Sequence, residues 1–534
     1  MHLTETSLEW ALVHLRRFYS SDFFPEPFEF RAIHTQWSTV KDYLLQLDIS
    51  KHVPHAALRL LAPKPNGTFR VVHQLDPLDS LIYTSLVHSV AADIEGFRIP
   101  ESECIACSYR IAPDVNGSFF KQMQDGWNSF TERSKQLAAK YKNGVVIVTD
   151  LVDFYNQIYS HRIQNVISEI GKPGCDEIGQ VIESFVEAIN TQTSRGIPVG
   201  PAASIVLSES VLADIDRKVL GYTRDYARYS DDFRIFFRDF ISARAFLHDF
   251  TEYLHDNHRL VISAEKTKIL PVDCFTKELL TDDAIREQQK LEETRNKVAM
   301  EKYVEKLILE AGPYDDPAEY FDHEDYLEVL RKLSESEEFR VVSDSYRQIF
   351  EGELRSARPD FMLLRRVLRN AGTYRIRSIF HSVVTNFASL LPLVRETGIY
   401  ITRVMTEKVA SKYLSEFMAL PESAEAKLPF VNMWLSHIFS NRAFGSVVIP
   451  SNYESILSIR DRALIALRRN DRAWVKSHKS GLDTLGPWDK RAVLFASQVL
   501  SADERGAWLR VAKARGSLLE QILADHLIAS RASA

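Results

Sequence analysis

Val145-Val146-Ile147-Val148-Thr149-Asp150-Leu151-Val152-Asp153-Phe154-Tyr155 is the stretch from which the fold is read. Five β-branched residues follow Gly144 and predict a short buried strand. The run ends abruptly on a carboxylate, Asp150. A second acidic pair, Asp231-Asp232, sits in a predicted strand–turn–strand: Tyr226–Tyr229, Ser230-Asp231-Asp232, Phe233–Phe237. Between them, Ala202–Val219 has helical periodicity.

Carboxylates on rigid strand ends suit a pair of divalent cations, which sit about 4 Å apart and share acidic ligands. Either acidic site alone says little, because Asp-Asp in a turn is ordinary turn chemistry. A third element changes the odds. Ser194-Arg195-Gly196-Ile197-Pro198-Val199-Gly200-Pro201-Ala202-Ala203-Ser204 leads into the helix. Glycine and proline there let backbone approach a ligand closely. Upstream, Pro63-Lys64-Pro65-Asn66-Gly67 separates Ala57–Ala62 from Thr68–Val72 and predicts a hairpin.

Taken in order, these elements resemble those of reverse transcriptases over roughly residues 50–275. Asp150–Tyr155 resembles their first catalytic motif, and Gly196–Gly200 their template- and nucleotide-positioning motif. Arg228-Tyr229-Ser230-Asp231-Asp232 is similar to their YxDD box. Leu260–Ile269, with Glu265-Lys266-Thr267, resembles the next palm motif. Ser108-Tyr109-Arg110 resembles a segment between fingers and palm in bacterial members.

The resemblance implies an α+β fingers and palm, and dNTP substrates. It implies Asp150, Asp231 and Asp232 as catalytic ligands of Mg²⁺, or of Mn²⁺ in its place. Lys64 and Arg70 would neutralise the β- and γ-phosphates, as cations on a closing hairpin do. Tyr155 would lie under the sugar and oppose a 2′-hydroxyl. Gly196, Pro198 and Gly200 would shape the nucleotide site. Lys266 would donate a proton or contact phosphate, with Tyr229 and Arg110 in supporting positions.

The rest of the chain narrows the resemblance. At 534 residues it exceeds the roughly 250–300 that one core sustains. The predicted division is an N-terminal helical segment (1–50), fingers and palm (51–285), an acidic helical connector (286–350) and an all-α domain (351–534). Residues 281–310 read as charged and helical. Residues 311–340 hold ten Asp/Glu against three Lys/Arg and read as a solvated connector. Phe380, Val383, Val384, Phe387, Leu391 and Val394 recur at helical spacing. Amphipathic segments follow near 403–419, 430–440, 454–469, 489–500 and 516–529, suggesting a HEAT-like helical repeat.

Fingers and palm followed by such a domain resemble prokaryotic abortive-infection and defence-associated polymerases. Some of these start DNA on a tyrosine of the protein and need no template. That implies a single-stranded DNA product, covalently attached, and a homo-oligomer such as a trimer or hexamer. Tyr43 is a priming candidate, as are Tyr374, Tyr400 and Tyr413. Two alternatives stay open: a templated enzyme copying a partner RNA, and a non-catalytic interaction scaffold.

Charge and cysteines set limits. With 66 basic and 72 acidic residues the net charge is −6, which excludes a chain-wide electrostatic grip on nucleic acid. Residues 454–534 nevertheless carry 14 Lys/Arg against nine Asp/Glu. Four cysteines exclude a disulfide framework. Cys104 and Cys107 lack the second pair that structural zinc requires. The acidic N-terminus does not read as a secretory signal, and no apolar run approaches a bilayer span. The expected compartment is the bacterial cytoplasm. Arg365, Arg366 and Arg369, like Arg468, Arg469 and Arg472, read as solvated basic faces or product-strand contacts.

Overall fold

The β-branched run forms the centre of a sheet. In chain order the strands are β1 (Leu58–Pro63), β2 (Phe69–Gln74), β3 (Val145–Asp150), β4 (Tyr226–Tyr229), β5 (Asp232–Phe237) and β6 (Lys268–Pro271). β1 and β2 pair alone, and the other four form an antiparallel sheet in the order β4-β5-β3-β6. The computed structural model describes residues 1–18, 23–280, 296–298, 300 and 337–529. The chain divides into two units, Met1–Leu60 with Val71–Ala284, and Leu61–Arg70 with Ile285–Ala534.

In the first unit the sheet is covered on both faces. Alternate strand residues point to opposite sides. Phe236 meets Phe275 at 5.7 Å between ring centres, in a cluster with Leu137, Val146 and Val272. Phe233 meets Phe250 of the helix Phe240–Tyr253 at 5.8 Å on the other side. The long helix Pro77–Phe97 packs against Glu5–Phe18, Cys175–Ile189 and Ala202–Leu220. It starts where Asp76 accepts from the Leu78 N–H, with Pro77 in the first turn.

The strands differ from the sequence reading by a residue or two, since Phe69 opens β2 and Asp232 already pairs in β5. The helix after the Gly-Pro loop begins at Ala202, where its periodicity begins, with Pro201 capping it in an extended conformation.

The second unit is helical. Glu337–Arg355, Phe361–Thr373, Val394–Val404, Pro429–Phe439, Ile459–Arg469 and Pro487–Ala496 each pack on the next. Leu518–Ala529 packs on Pro487–Ala496 and on Ala502–Lys513. Asp360, Ser458, Asp471 and Ser501 cap helix starts with their side chains.

The continuous helix predicted through 380–394 is broken. An α-helix, Phe380–Thr385, gives way to a 3₁₀ segment, Phe387–Leu393, that contains Pro392. Three residues per turn make Phe387, Leu390 and Leu393 the buried row, so Leu390 rather than Leu391 faces inward. The 403–419 segment is two short helices, Glu407–Lys412 and Leu414–Ala419. Of the predicted connector, residues 286–295, 299 and 301–336 lie outside the described residues.

Candidate active site

β3 and β5 run in register from Val145 opposite Phe237 to Asp150 opposite Asp232. Paired residues share a sheet face, so these two carboxylates stand side by side. Asp231 precedes Asp232 in the turn from β4, where Ser230 takes a left-handed backbone (φ +52°). The 260–267 segment closes on the same end. Val152 N–H donates to Val261 O at 2.8 Å and Ser263 N–H to Asp150 O at 2.7 Å. The hydroxyls of Thr149 and Thr267 meet at 2.7 Å. This brings the Lys266 ammonium into an ion pair with Asp150 Oδ2.

The Gly-Pro loop lies against the residues after β3. Gly196 N–H donates to Ile158 O at 2.7 Å, and Ile197 N–H to Tyr155 O at 2.9 Å. Gly196 has φ +92°, and a Cβ there would meet Asn156 O at 3.2 Å, so glycine is required. Pro198 is buried and Gly200 is also left-handed in φ. Tyr155 is half-buried, and its hydroxyl accepts from Ser208 Oγ at 3.2 Å.

Lys64 and Arg70 lie on the hairpin tip that groups with the second unit. The tip is a tight turn: Lys64 N–H donates to Thr68 O at 2.8 Å, and Gly67 N–H to Lys64 O at 3.0 Å. Arg70 is exposed. Tyr229 packs among Trp127, Phe130 and Tyr109. Arg110 is buried; it pairs with Glu95 at 2.5 Å and donates to Ile99 O and Ala106 O at 3.0 Å. Tyr43 is 43% exposed on the helix Trp37–Gln46.

Residues 62–293 match the family described as reverse transcriptase (RNA-dependent DNA polymerase). This region is a reverse transcriptase domain. Its family is one of RNA-directed DNA polymerases. No curated protein matches the chain. Among solved structures, the chain is similar to Candida albicans telomerase in complex with a TWJ fragment of telomeric RNA. That match has 12% identity and a TM-score of 0.33, over 69% of this chain and 64% of the telomerase chain. It therefore spans less than two thirds of that relative. Apo telomerase from Candida tropicalis matches at 10% identity and TM-score 0.33, over 75% of this chain and 73% of that one.

Reverse transcriptases use divalent metals, and the electrostatics of the domain fit one. Burial, and then the charges of Asp150 and Asp232, hold Asp231 well above the usual carboxylate range. Burial and the Asp150 charge push Asp232 up to about 6, although Lys266 and Arg234 pull it down. Burial lowers Lys266, but its bond to Asp150 and the charges of the aspartates outweigh that and raise it. The local cations thus leave the three carboxylates under-neutralised, and hard oxygen ligands of this kind suit Mg²⁺. A separate group, His55, Asp76 and Asp79, brings one ligand atom each within 4.8 Å. There Asp79 already accepts from His52 Nε2 and from the His55 N–H, each at 2.8 Å.

Behind the YSDD turn of the reverse transcriptase domain lies a buried ionic network that sequence reading did not assemble. Arg228 makes a two-nitrogen contact with Asp216, through Nε at 3.0 Å and Nη2 at 2.7 Å. Glu209 Oε2 accepts from Arg228 Nη2 at 3.0 Å and from Arg98 Nη2 at 2.8 Å. Arg228, Glu209 and Asp216 are fully buried. Burial raises Glu209, but Arg228, Arg98 and Ser108 outweigh it and hold the carboxyl below its usual range. The available signal was the spacing of Glu209 and Asp216. Seven residues apart, they share one face of the helix, and buried carboxylates require partners.

Both basic faces are also more engaged than expected. Arg365, Arg369 and Arg395 converge on the buried Glu396 at 3.2, 3.2 and 3.0 Å. Arg468 donates to Val447 O at 2.8 Å, and Arg469 pairs with Glu454 at 3.2 Å. Tyr400, a priming candidate, is buried and donates to Ile376 O at 2.8 Å. Among the described residues, no helix is long and apolar enough to cross a membrane.

Proposed function

We propose that the chain is a DNA nucleotidyltransferase whose Asp150, Asp231 and Asp232 hold two Mg²⁺ ions and extend DNA from dNTPs. The observation that supports this best is the register of β3 and β5, which brings Asp150 opposite Asp232 beside the Asp231 turn. When bound, two such ions activate the attacking hydroxyl and steady the departing pyrophosphate. In the reaction the attacking hydroxyl oxygen bonds the α-phosphorus and loses its proton to solvent, the bond from that phosphorus to the bridging oxygen breaks, and pyrophosphate leaves. Lys266 holds Asp150 in place, and Lys64 and Arg70 bind the β- and γ-phosphates. The Tyr155 ring screens the sugar, and Gly196, Pro198 and Gly200 line the nucleotide site.

In the finer reading, the enzyme is an abortive-infection polymerase of the bacterial cytoplasm. It is protein-primed and template-independent, with a HEAT-like helical domain over 351–534 and a homo-oligomeric state. Support comes from the order of parts: fingers and palm, then serial helices. Tyr43 is exposed enough to serve as primer. Purified protein incubated with Mg²⁺ and dNTPs alone then forms a covalent protein–DNA adduct, with its attachment residue readable by mass spectrometry. No adduct means no protein priming. Product from Asp231→Ala means the wrong catalytic site.

The family match favours a second reading, in which the enzyme copies a bound RNA. RNA that co-purifies, and nuclease treatment that abolishes synthesis, would establish it. Random product sequence would exclude it.

A further inference from the structure

We propose that Ser108, Glu209 and Arg228 are positioning residues that fix the Ser230 peptide, and with it the direction in which Asp231 and Asp232 present their carboxylates. The inference rests on the function proposed above.

Four hydrogen bonds form a closed ring that begins and ends on Ser230. Ser230 N–H donates to Ser108 Oγ at 2.7 Å. Ser108 Oγ–H donates to Glu209 Oε1 at 2.7 Å. Arg228 Nη2 donates to Glu209 Oε2 at 3.0 Å, and Arg228 Nη1 donates to Ser230 O at 3.0 Å. Both backbone polar atoms of the residue before the aspartates are therefore held. The left-handed φ of +52° is uncommon for serine and persists when its surroundings impose it.

The ring is itself anchored. Asp216 grips the Arg228 guanidinium, so its plane cannot swing. Arg98 Nη2 bonds both Glu209 and Ser108 O, the latter at 2.9 Å. The backbone of 105–107 pairs with β4 through Arg228 N–H to Ile105 O at 2.8 Å and Cys107 N–H to Arg228 O at 2.9 Å. A buried charge network is a poor way to add stability, because apolar residues of the same volume hold a core as well. A closed hydrogen-bonded ring fixes orientation instead, which is what ligands of a metal pair require.

The test compares wild type, Ser108→Ala and Ser108→Thr in full-length protein. It reads kcat, KM for dNTP, Mn²⁺ affinity by electron paramagnetic resonance, and melting temperature. Ser108→Ala is expected to lower kcat roughly 10- to 100-fold, with KM near wild type and Mn²⁺ bound several-fold more weakly. Ser108→Thr keeps the hydroxyl and recovers both. Where Ser108→Ala fails to fold, Glu209→Gln gives the same split between kcat and KM. Wild-type kcat and Mn²⁺ affinity in Ser108→Ala overturn the inference. So does a loss that Ser108→Thr shares and that follows melting temperature alone. An inactive wild type overturns the proposed function instead, and the Mn²⁺ comparison still decides the role of Ser108.

Discussion

His73 and Val199 are bonded to each other twice. His73 N–H donates to Val199 O at 2.9 Å, and Val199 N–H donates to His73 Nδ1 at 3.0 Å. The second bond needs an unprotonated Nδ1, so the imidazole is neutral with its proton on Nε2. The pair ties the end of β2 to the Gly-Pro loop. Burial, helped by the Arg59 charge, pushes His73 down to about 4. The unfolded chain therefore takes up this proton first as pH falls below about 6.5. The stabilisation is complete above that pH and is lost on descent towards 4, amounting to about 3 kcal/mol. Denaturant titrations from pH 7.5 to 4.5 are expected to show a steeper loss for wild type than for His73→Gln. Parallel curves would refute the assignment.

The crowded carboxylates make a prediction about metal. Saturating Mg²⁺ is expected to raise the melting temperature of wild type and to have little effect on Asp232→Asn. The same substitution is expected to reduce polymerisation by about 10³-fold or more, since several kcal/mol of charge stabilisation disappears. An Asp232→Asn protein that melts as wild type does in Mg²⁺ would remove Asp232 from the ligand set.

Tyr155 offers a selectivity test. Its hydroxyl is held by Ser208, and its backbone carbonyl accepts from Ile197 of the loop Gly196–Gly200. Tyr155→Ala is expected to narrow the preference for dNTP over rNTP by roughly 10–100-fold. Unchanged discrimination, measured as the ratio of kcat/KM values, would leave the ring without that role.

Glu396 concerns stability rather than chemistry. Its carboxylate is buried, 4% exposed, between three arginines of which Arg395 is itself only 9% exposed. Glu396→Ala strands that buried charge and is expected to cost about 3 kcal/mol in the second unit. Chemical unfolding of the two proteins at neutral pH measures it. A cost near zero would mean that water already solvates the arginines.

How far the sequence could be read depended on the range of the interaction. The strand at 145–150, both hairpins and the helix at 202–220 follow from local pattern, because β-branching, Asn-Gly and apolar spacing act over a few residues. Asp150, Asp231 and Asp232 could be singled out because each sits at a strand end or turn that the pattern itself marks. Leu391 leaves the buried row because the segment around Pro392 is 3₁₀, with a period of three rather than 3.6, a change that hydrophobicity alone does not reveal. The arginines at 365–369 looked solvated because Glu396, a turn and a helix away in sequence, supplies their partner only in three dimensions. Ser108 is the extreme case. Nothing about a serine in a coil indicates that it meets the peptide of Ser230, 122 residues on.

The in-register pairing of β3 with β5 has a consequence for how this protein can change. Side chains in a strand alternate faces, so a slip of one position would turn Asp232 away from Asp150. Conservative exchanges among Val145–Val148 or Phe233–Phe237 would leave the two carboxylates adjacent. Inserting or deleting a single residue in either strand would part them even if every strand still formed. Here the count of residues is a stricter inheritance than their identity, and tolerance to substitution should coexist with intolerance to any change of length.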